Sequence, residues 1–256
     1  MYGKVFASVY NTWWGDFARR VGPQILDFYA GTSVAGTSVA GTNGRVLDLC
    51  CGTGQFAANA LRRGYEVEGI DISEDMLHHA RMNNLEYVQS GRATFRVGDA
   101  SNFTTGRGFG LVVSMFDALN HLPDAGHLAG CFHSVYGALD PGGIFVFDLN
   151  TRLGLLNWNS IGVRDEPGIM IVNRGVFIED QQRAIVRISG FLRDESGRYE
   201  RFEETMSNVA FKVAEVRDLL LSSGFKRAHC ARPNSLDVPI ETDPEEERRA
   251  YFVAYK

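Results

Sequence analysis

A set of acidic side chains and one glycine turn carry the chemistry legible in this chain. Asp48 lies four residues before the turn Gly52-Thr53-Gly54, and Asp71, Asp99 and Asp117 each close a later apolar run. Glycine has no Cβ, so a ligand can approach the backbone of such a turn closely. An ionised carboxylate accepts several hydrogen bonds at once, so Asp71 could take both hydroxyl hydrogens of a ribose and Asp99 the exocyclic amine of a base such as adenine. Asp117, Asn120 and His121 follow as acid–base candidates, and His121 is the strongest because imidazole titrates near neutrality.

The elements that must position these groups alternate between apolar strands and helical patterns. Strands are expected at 45–50, 65–71, 93–99, 110–117 and 143–150, with helices over 55–63, 73–84 and 125–139 between them. This is the grammar of a doubly wound, mostly parallel α/β sheet, in which ligands bind beyond the carboxyl ends of the strands. Ser73 is a suitable N-cap for the second helix, with Glu74 and Asp75 in its first turn. Upstream, apolar and aromatic residues at helical spacing predict a helix over 5–21, ended by Gly22-Pro23 and followed by a second short helix.

After residue 150 the pattern changes. Segments 169–178, 183–192 and 198–209 read as extended and are separated by polar turns, which predicts an antiparallel sheet. A helix over 213–222 and strands at 225–231 and 249–255 would then resume the parallel order. The expected organisation is one domain: N-terminal helices as a lid (1–29), a linker (30–44) holding the short repeat AGTSVAGTSVAGT, a cofactor-binding core (45–150), an antiparallel substrate cap (151–211) and the end of the core sheet (212–256). A five-residue unit is too short to build a solenoid, so the repeat reads as a linker expansion.

Composition narrows the classes. A net charge of −5 gives no general attraction to nucleic acid, whose binding depends on clustered Lys and Arg. The 4 cysteines form no CxxC pair, so neither a zinc site nor a disulfide framework is expected, and no metal is assigned. No apolar run is long enough to span a membrane, and the N-terminus has no signal-peptide pattern, so a cytoplasmic protein is expected. His78-His79 reads as solvent-facing on its helix, and the glycines at 106–110 as a loop. The partner implied is a small molecule; the oligomeric state is left open.

The glycines fit two cofactors. Gly52-Thr53-Gly54-Gln55-Phe56-Ala57 also satisfies the GxGxxG/A dinucleotide fingerprint, with Asp71 at a suitable distance. Asp48, inside the first strand, would organise the turn and face a cationic amino-acid group rather than a pyrophosphate. The chain also lacks the Tyr-xxx-Lys pair of short-chain dehydrogenases. VLDLCCGTG (46–54), GIDIS (69–73), GDA (98–100), SMFDALNHL (114–122) and LDPGGIFVFDLNT (139–151) resemble, in order and spacing, the motifs of class I S-adenosylmethionine-dependent methyltransferases, with most likeness to their small-molecule branch. The resemblance implies a Rossmann-like fold and S-adenosylmethionine as cofactor. It further implies that Cys50, Gly52 and Gly54 cradle the methionine part and that Asp71 holds the ribose. Ile72 and Met76 would flank the adenine, Asp99 and the Ala100 amide would read its edge, and Met115 and Phe116 would line the floor. Tyr10 and Trp14 would close over the ligand, as N-terminal helices of this family often do. Cys50 departs from the family by standing where many members have glycine, as does Gly110, where an aspartate often opens the fourth strand.

The activity expected is methyl transfer to a small polar acceptor, an amine nitrogen ahead of a hydroxyl oxygen. The alternatives are a NAD-dependent oxidoreductase, transfer of another portion of the same cofactor, and a non-catalytic S-adenosylmethionine-binding domain.

Overall fold

The computed structural model describes residues 2–32, 44–106 and 108–256. The repeat from residue 33 onward lies outside them. Two helices come first, α1 (Lys4–Trp13) and α2 (Asp16–Gly31). The break between them falls at Trp14-Gly15 and not at Gly22-Pro23, and Pro23 sits inside α2. Gly22 explains the correction. A Cβ there would lie 2.8 Å from Asn59 Nδ2, so two helices cross closely at this point, and Asn59 also donates to the Ala18 carbonyl at 3.1 Å. That packing, with Ile25, Leu26 and Tyr29 buried, offsets the backbone hydrogen bond that proline removes.

The core then runs β1 (Arg45–Leu49), α3 (Gln55–Arg62), β2 (Glu66–Asp71), α4 (Glu74–Asn83), the short α5 (Leu85–Gln89), β3 (Ala93–Val97), β4 (Phe109–Ser114), α6 (Ala125–Ala138) and β5 (Leu139–Asn150). After α7 (Arg152–Leu156) come β6 (Ile161–Glu166), β7 (Ile169–Ile178), β8 (Arg183–Arg193) and β9 (Tyr199–Val209), which form a four-stranded antiparallel sheet. The chain closes with α8 (Val213–Ser222), β10 (Arg227–Ala231) and β11 (Arg249–Tyr255).

The main sheet has seven strands in the order β10-β11-β5-β4-β1-β2-β3. The strands from β1 to β5 pair in parallel, whereas β11 runs antiparallel to both β5 and β10. This corrects the expected parallel ending. A parallel return requires a crossover of a dozen or more residues, usually a helix, but only a 3-10 turn at Pro244–Glu246 interrupts the polar stretch before β11. Alternation along the strands divides the core: Leu47, Phe145 and Phe147 pack beneath α6 and α8, while Val46, Val113 and Val253 pack beneath α2, α3 and α4. A third cluster joins Phe6 and Val9 of α1 to Ile169, Ile171, Ile188 and Phe202, fastening α1 onto the second sheet. Strand β6, exposed along its whole length, was not foreseen, because its apolar alternation is only Ile161 and Val163 before the charged run Arg164-Asp165-Glu166. Among the described residues no helix is long and apolar enough to cross a membrane.

Candidate active site

In the main sheet the strand order reverses at β1, whose neighbours are β2 and β4, so the helices leaving these strands diverge and open a crevice. A cavity of 880 Å³ occupies it, between the carboxyl ends of β1, β2 and β4, helix α1 and the second sheet. That volume lies inside the range of about 300–1,000 Å³ typical of small-ligand sites.

One half of the cavity is built on turns. Cys50, Gly52 and Gly54 all adopt positive φ, at 58°, 53° and 79°. Glycine takes this conformation readily; Cys50 bears the penalty of its Cβ. Asp71 fixes the turn from the next strand: its Oδ2 accepts the Gly52 amide at 2.8 Å and its Oδ1 the Ser73 amide at 2.9 Å. Burial raises its pKa, opposed by the amides of Ser73, Gly52 and Ile72. Ser73 caps α4 as expected, accepting from the Met76 amide at 3.3 Å. Beside Asp71, Ile72 is 52% exposed while Met76 is buried, which leaves an apolar side chain open to the cavity. Asp99 Oδ1 accepts the Ser101 amide and hydroxyl, both at 2.8 Å.

The other half lies past β4. Phe116 and Asp117 are both left-handed, with φ of 65° and 49°. The Asp148 carboxylate holds them there, accepting the Phe116 amide at 2.7 Å and the Asp117 amide at 2.9 Å. Arg249 bridges Asp148 and Asp117, and its guanidinium carbon lies 4.9 Å from the centre of the Phe17 ring. His121 presents its ring to the cavity, with Nε2 3.4 Å from Tyr2 Oη. The residue is exposed to the open space of the cavity, and partial desolvation of the ring by the cavity walls lowers its pKa, partly offset by the Ser207 backbone.

Of the residues singled out from the sequence, Tyr10, Trp14, Cys50, Gly52, Asp71, Ile72, Met76, Asp99, Ala100, Met115, Phe116, Asp117 and His121 all line this one cavity. Others are placed elsewhere. Asp48 lies behind the turn at 2% exposure and accepts the Ala57 amide at 3.2 Å. Burial pushes its pKa up to about 8, and from this position it organises the turn without lining the cavity. Gly54 likewise stands off the cavity wall and packs on Ala80 and Asn84. Asn120 is fully buried: its amide donates to the carbonyls of Asn150 at 3.0 Å and Val209 at 2.8 Å, and its oxygen accepts from the Asn150 amide at 2.9 Å. It ties β5 to β9 and has no donor left for a reaction. Asp117 lines the cavity, but its carboxylate is held by Arg249 at 2.8 Å and by Asn208 at 3.1 Å. Sequence reasoning missed Tyr2, Asp148, Glu204 and Arg249. Asp148 did leave a signal, an acid inside the otherwise apolar strand GIFVFDLN.

A family model described as a methyltransferase domain matches residues 46–143. "Putative methyltransferase YqeM" of Bacillus subtilis (strain 168) is 30% identical over 216 residues, covering 83% of this chain and 84% of that protein. The dTDP-3-amino-3,4,6-trideoxy-alpha-D-glucopyranose N,N-dimethyltransferase of Streptomyces venezuelae is 35% identical over 103 residues, 40% of this chain and 41% of that one. Among solved structures, an S-adenosylmethionine-dependent methyltransferase from Clostridium acetobutylicum ATCC 824 superposes with a TM-score of 0.76 over 98% of this chain and 97% of that chain, at 22% identity. The chain belongs to the class I S-adenosylmethionine-dependent methyltransferases. The dinucleotide reading of the glycines therefore gives way.

The residues present suit this cofactor. After its two amide contacts the Asp71 carboxylate retains lone pairs for ribose hydroxyls, the exposed Ile72 offers an apolar face for a planar base, and the turn at Gly52 lets a ligand reach the backbone.

Proposed function

We propose that this enzyme methylates the nitrogen of a small polar amine, with Asp71 holding the ribose of S-adenosylmethionine, Ile72 and Met76 its adenine, Asp99 and Ala100 the adenine edge, and His121 acting as base. The cofactor supplies an electrophilic methyl on a sulfonium whose leaving group departs neutral. The protein's part is then mainly to align and to desolvate, and alignment of this kind can be worth about 7–11 kcal/mol. Helix α1 as lid and the antiparallel sheet as cap would exclude water, a role supported by Tyr10 and Trp14 on one side and Trp158 and Ser207 on the other, all lining the cavity.

The observation that carries the reading is His121: a histidine with a lowered pKa, facing the acceptor half of the cavity. It is neutral at physiological pH and is matched to a proton released from an ammonium better than to one from an alcohol. The relatives include amino-sugar N,N-dimethyltransferases and ubiquinone-biosynthesis O-methyltransferases, so the preference for nitrogen rests on His121.

Incubation with methyl-labelled S-adenosylmethionine and a fractionated metabolite extract should place label on amine-containing small molecules. Label confined to protein, nucleic acid or hydroxyl compounds would overturn the proposal. For the cofactor site, Asp71→Ala removes a charged acceptor whose hydrogen bonds are worth about 1.5–3 kcal/mol each, so affinity should fall by about tenfold or more. Unchanged affinity would refute the placement.

A further inference from the structure

Glu204 lies on β9, where alternation puts it on the same inward face as Phe202 and Met206. Its outward neighbour Glu203 is paired with Arg187 at 2.6 Å and also with Arg201. Glu204 has no such partner: its Oε1 accepts the Gly3 amide at 2.7 Å, and among the described residues no Lys, Arg or His forms an ion pair with it. Yet it lines the cavity. The other cavity carboxylates are matched: Asp117 by Arg249, Asp71 by the amides of Gly52 and Ser73, and Asp99 by Ser101. Glu204 thus presents to the cavity a carboxylate with no cationic partner among the described residues, and a charge-assisted hydrogen bond from an organic cation is the contact it is equipped to make.

The surrounding charge has the same sign. Among the described residues no lysine lines the cavity, and its one arginine, Arg249, is already bound between Asp117 and Asp148. Arg183 is spent on two lining residues, donating to Ser207 Oγ and the Pro123 carbonyl, both at 2.8 Å. A phosphate or diphosphate is normally received by Arg, Lys or clustered backbone amides, and here it would meet carboxylates instead. Tyr2, Phe6 and Trp158 also line the cavity, and aromatic faces attract organic cations.

We propose that the acceptor half of the cavity takes an organic amine that carries no phosphate, and that Glu204 receives its ammonium group. The inference rests on the amine reading given above. Met206, on the same face as Glu204, accepts from Tyr2 Oη at 3.1 Å, and that hydroxyl is 3.4 Å from His121 Nε2, so anchor and base belong to one continuous surface. The ammonium loses one proton to His121; the freed lone pair forms the new N–C bond as the C–S pair returns to sulfur, and His121 later releases the proton to water.

The test uses the whole protein loaded with S-adenosylhomocysteine, which blocks turnover, titrated calorimetrically with benzylammonium and separately with uridine diphosphate. Saturable benzylammonium binding is expected, weakened about tenfold in Glu204→Gln, since a hydrogen bond to a charged group is worth about 1.5–3 kcal/mol. Glu204→Gln keeps an oxygen for the Gly3 amide, and an unchanged S-adenosylhomocysteine affinity verifies that it folds. Saturable uridine diphosphate binding, absent benzylammonium binding, or benzylammonium affinity unaffected by Glu204→Gln would each overturn the inference. Methyl label appearing on a nucleotide-linked amine would also overturn it while leaving the amine reading intact; label on no amine at all would remove that reading itself.

Discussion

Arg249 Nη2 stands 2.8 Å from Asp117 Oδ1, although 132 positions separate the two residues in the chain. The same guanidinium meets Asp148, whose oxygens receive the amides of Phe116 and Asp117. Arg249 therefore neutralises two buried acids at once, one of which clamps a pair of left-handed residues on the cavity wall. This joins the last strand, β11, to the loop that follows β4.

Removing the cation should be costly. Arg249→Met leaves two carboxylates buried without a counter-charge, a change that typically destabilises by about 3–5 kcal/mol. Urea denaturation should show a matching loss, and Arg249→Lys should recover part of it, since lysine restores the charge but not the two-pronged geometry. A loss below about 1 kcal/mol for Arg249→Met would contradict this account.

Asp48 makes a pH-dependent contribution of known sign. Its folded pKa, about 8, stands above the ordinary carboxylate range, so the folded state holds a proton that the unfolded chain releases. Its contribution to stability is full below about pH 4 and is lost as pH rises towards 8. Asp48→Asn keeps an acceptor for the Ala57 amide and removes this titration. Thermal melts should show the variant gaining on the parent between pH 5 and pH 8, by up to about 1.4 kcal/mol per pH unit. A constant difference across that range would rule out the raised pKa.

The half of the cavity built on Gly52, Asp71 and Asp99, which we assign to the cofactor, was legible because its groups are local. The turn at 52–54 and the acids at 71 and 99 sit where strands end, and parallel strands advertise themselves as apolar runs. The half that lies past β4 was not, because it is assembled from distant segments. Nothing in the sequence near His121 points to Tyr2, Glu204 or Arg249. Asp117 and Asn120 looked reactive by type and are held in place by Asn208, Arg249 and backbone groups that only the tertiary structure brings up. The break between α1 and α2 was misplaced because proline was weighed as a local signal, while the crossing at Gly22 is a long-range one.

Cys50 is a non-glycine residue at a φ of 58°, in a turn where Gly52 and Gly54 share the left-handed conformation. That geometry costs an L-residue about 1–2 kcal/mol. Cys50→Gly should therefore keep the fold and the affinity for S-adenosylmethionine, with a melting temperature equal to or above that of the parent. Cys50→Val, branched at Cβ, should lower it. Equal melting temperatures for the two variants would show that the turn relaxes freely.

His121 should set the acid limb of the activity profile. Desolvation holds its pKa below the ordinary imidazole value, so the neutral form persists to lower pH than a free histidine would allow. The parent kcat/KM for an amine acceptor should fall only below about pH 6.5. His121→Gln should abolish that limb and reduce kcat by about 10²–10⁴ if the ring takes the proton. The stability sign is independent of catalysis: a depressed histidine pKa gives a contribution present above the unfolded value and lost as pH falls through the folded one. Melts at pH 5 and pH 7 should accordingly differ less for His121→Gln than for the parent. An acid limb that survives in His121→Gln would move the base elsewhere, whatever the melts report.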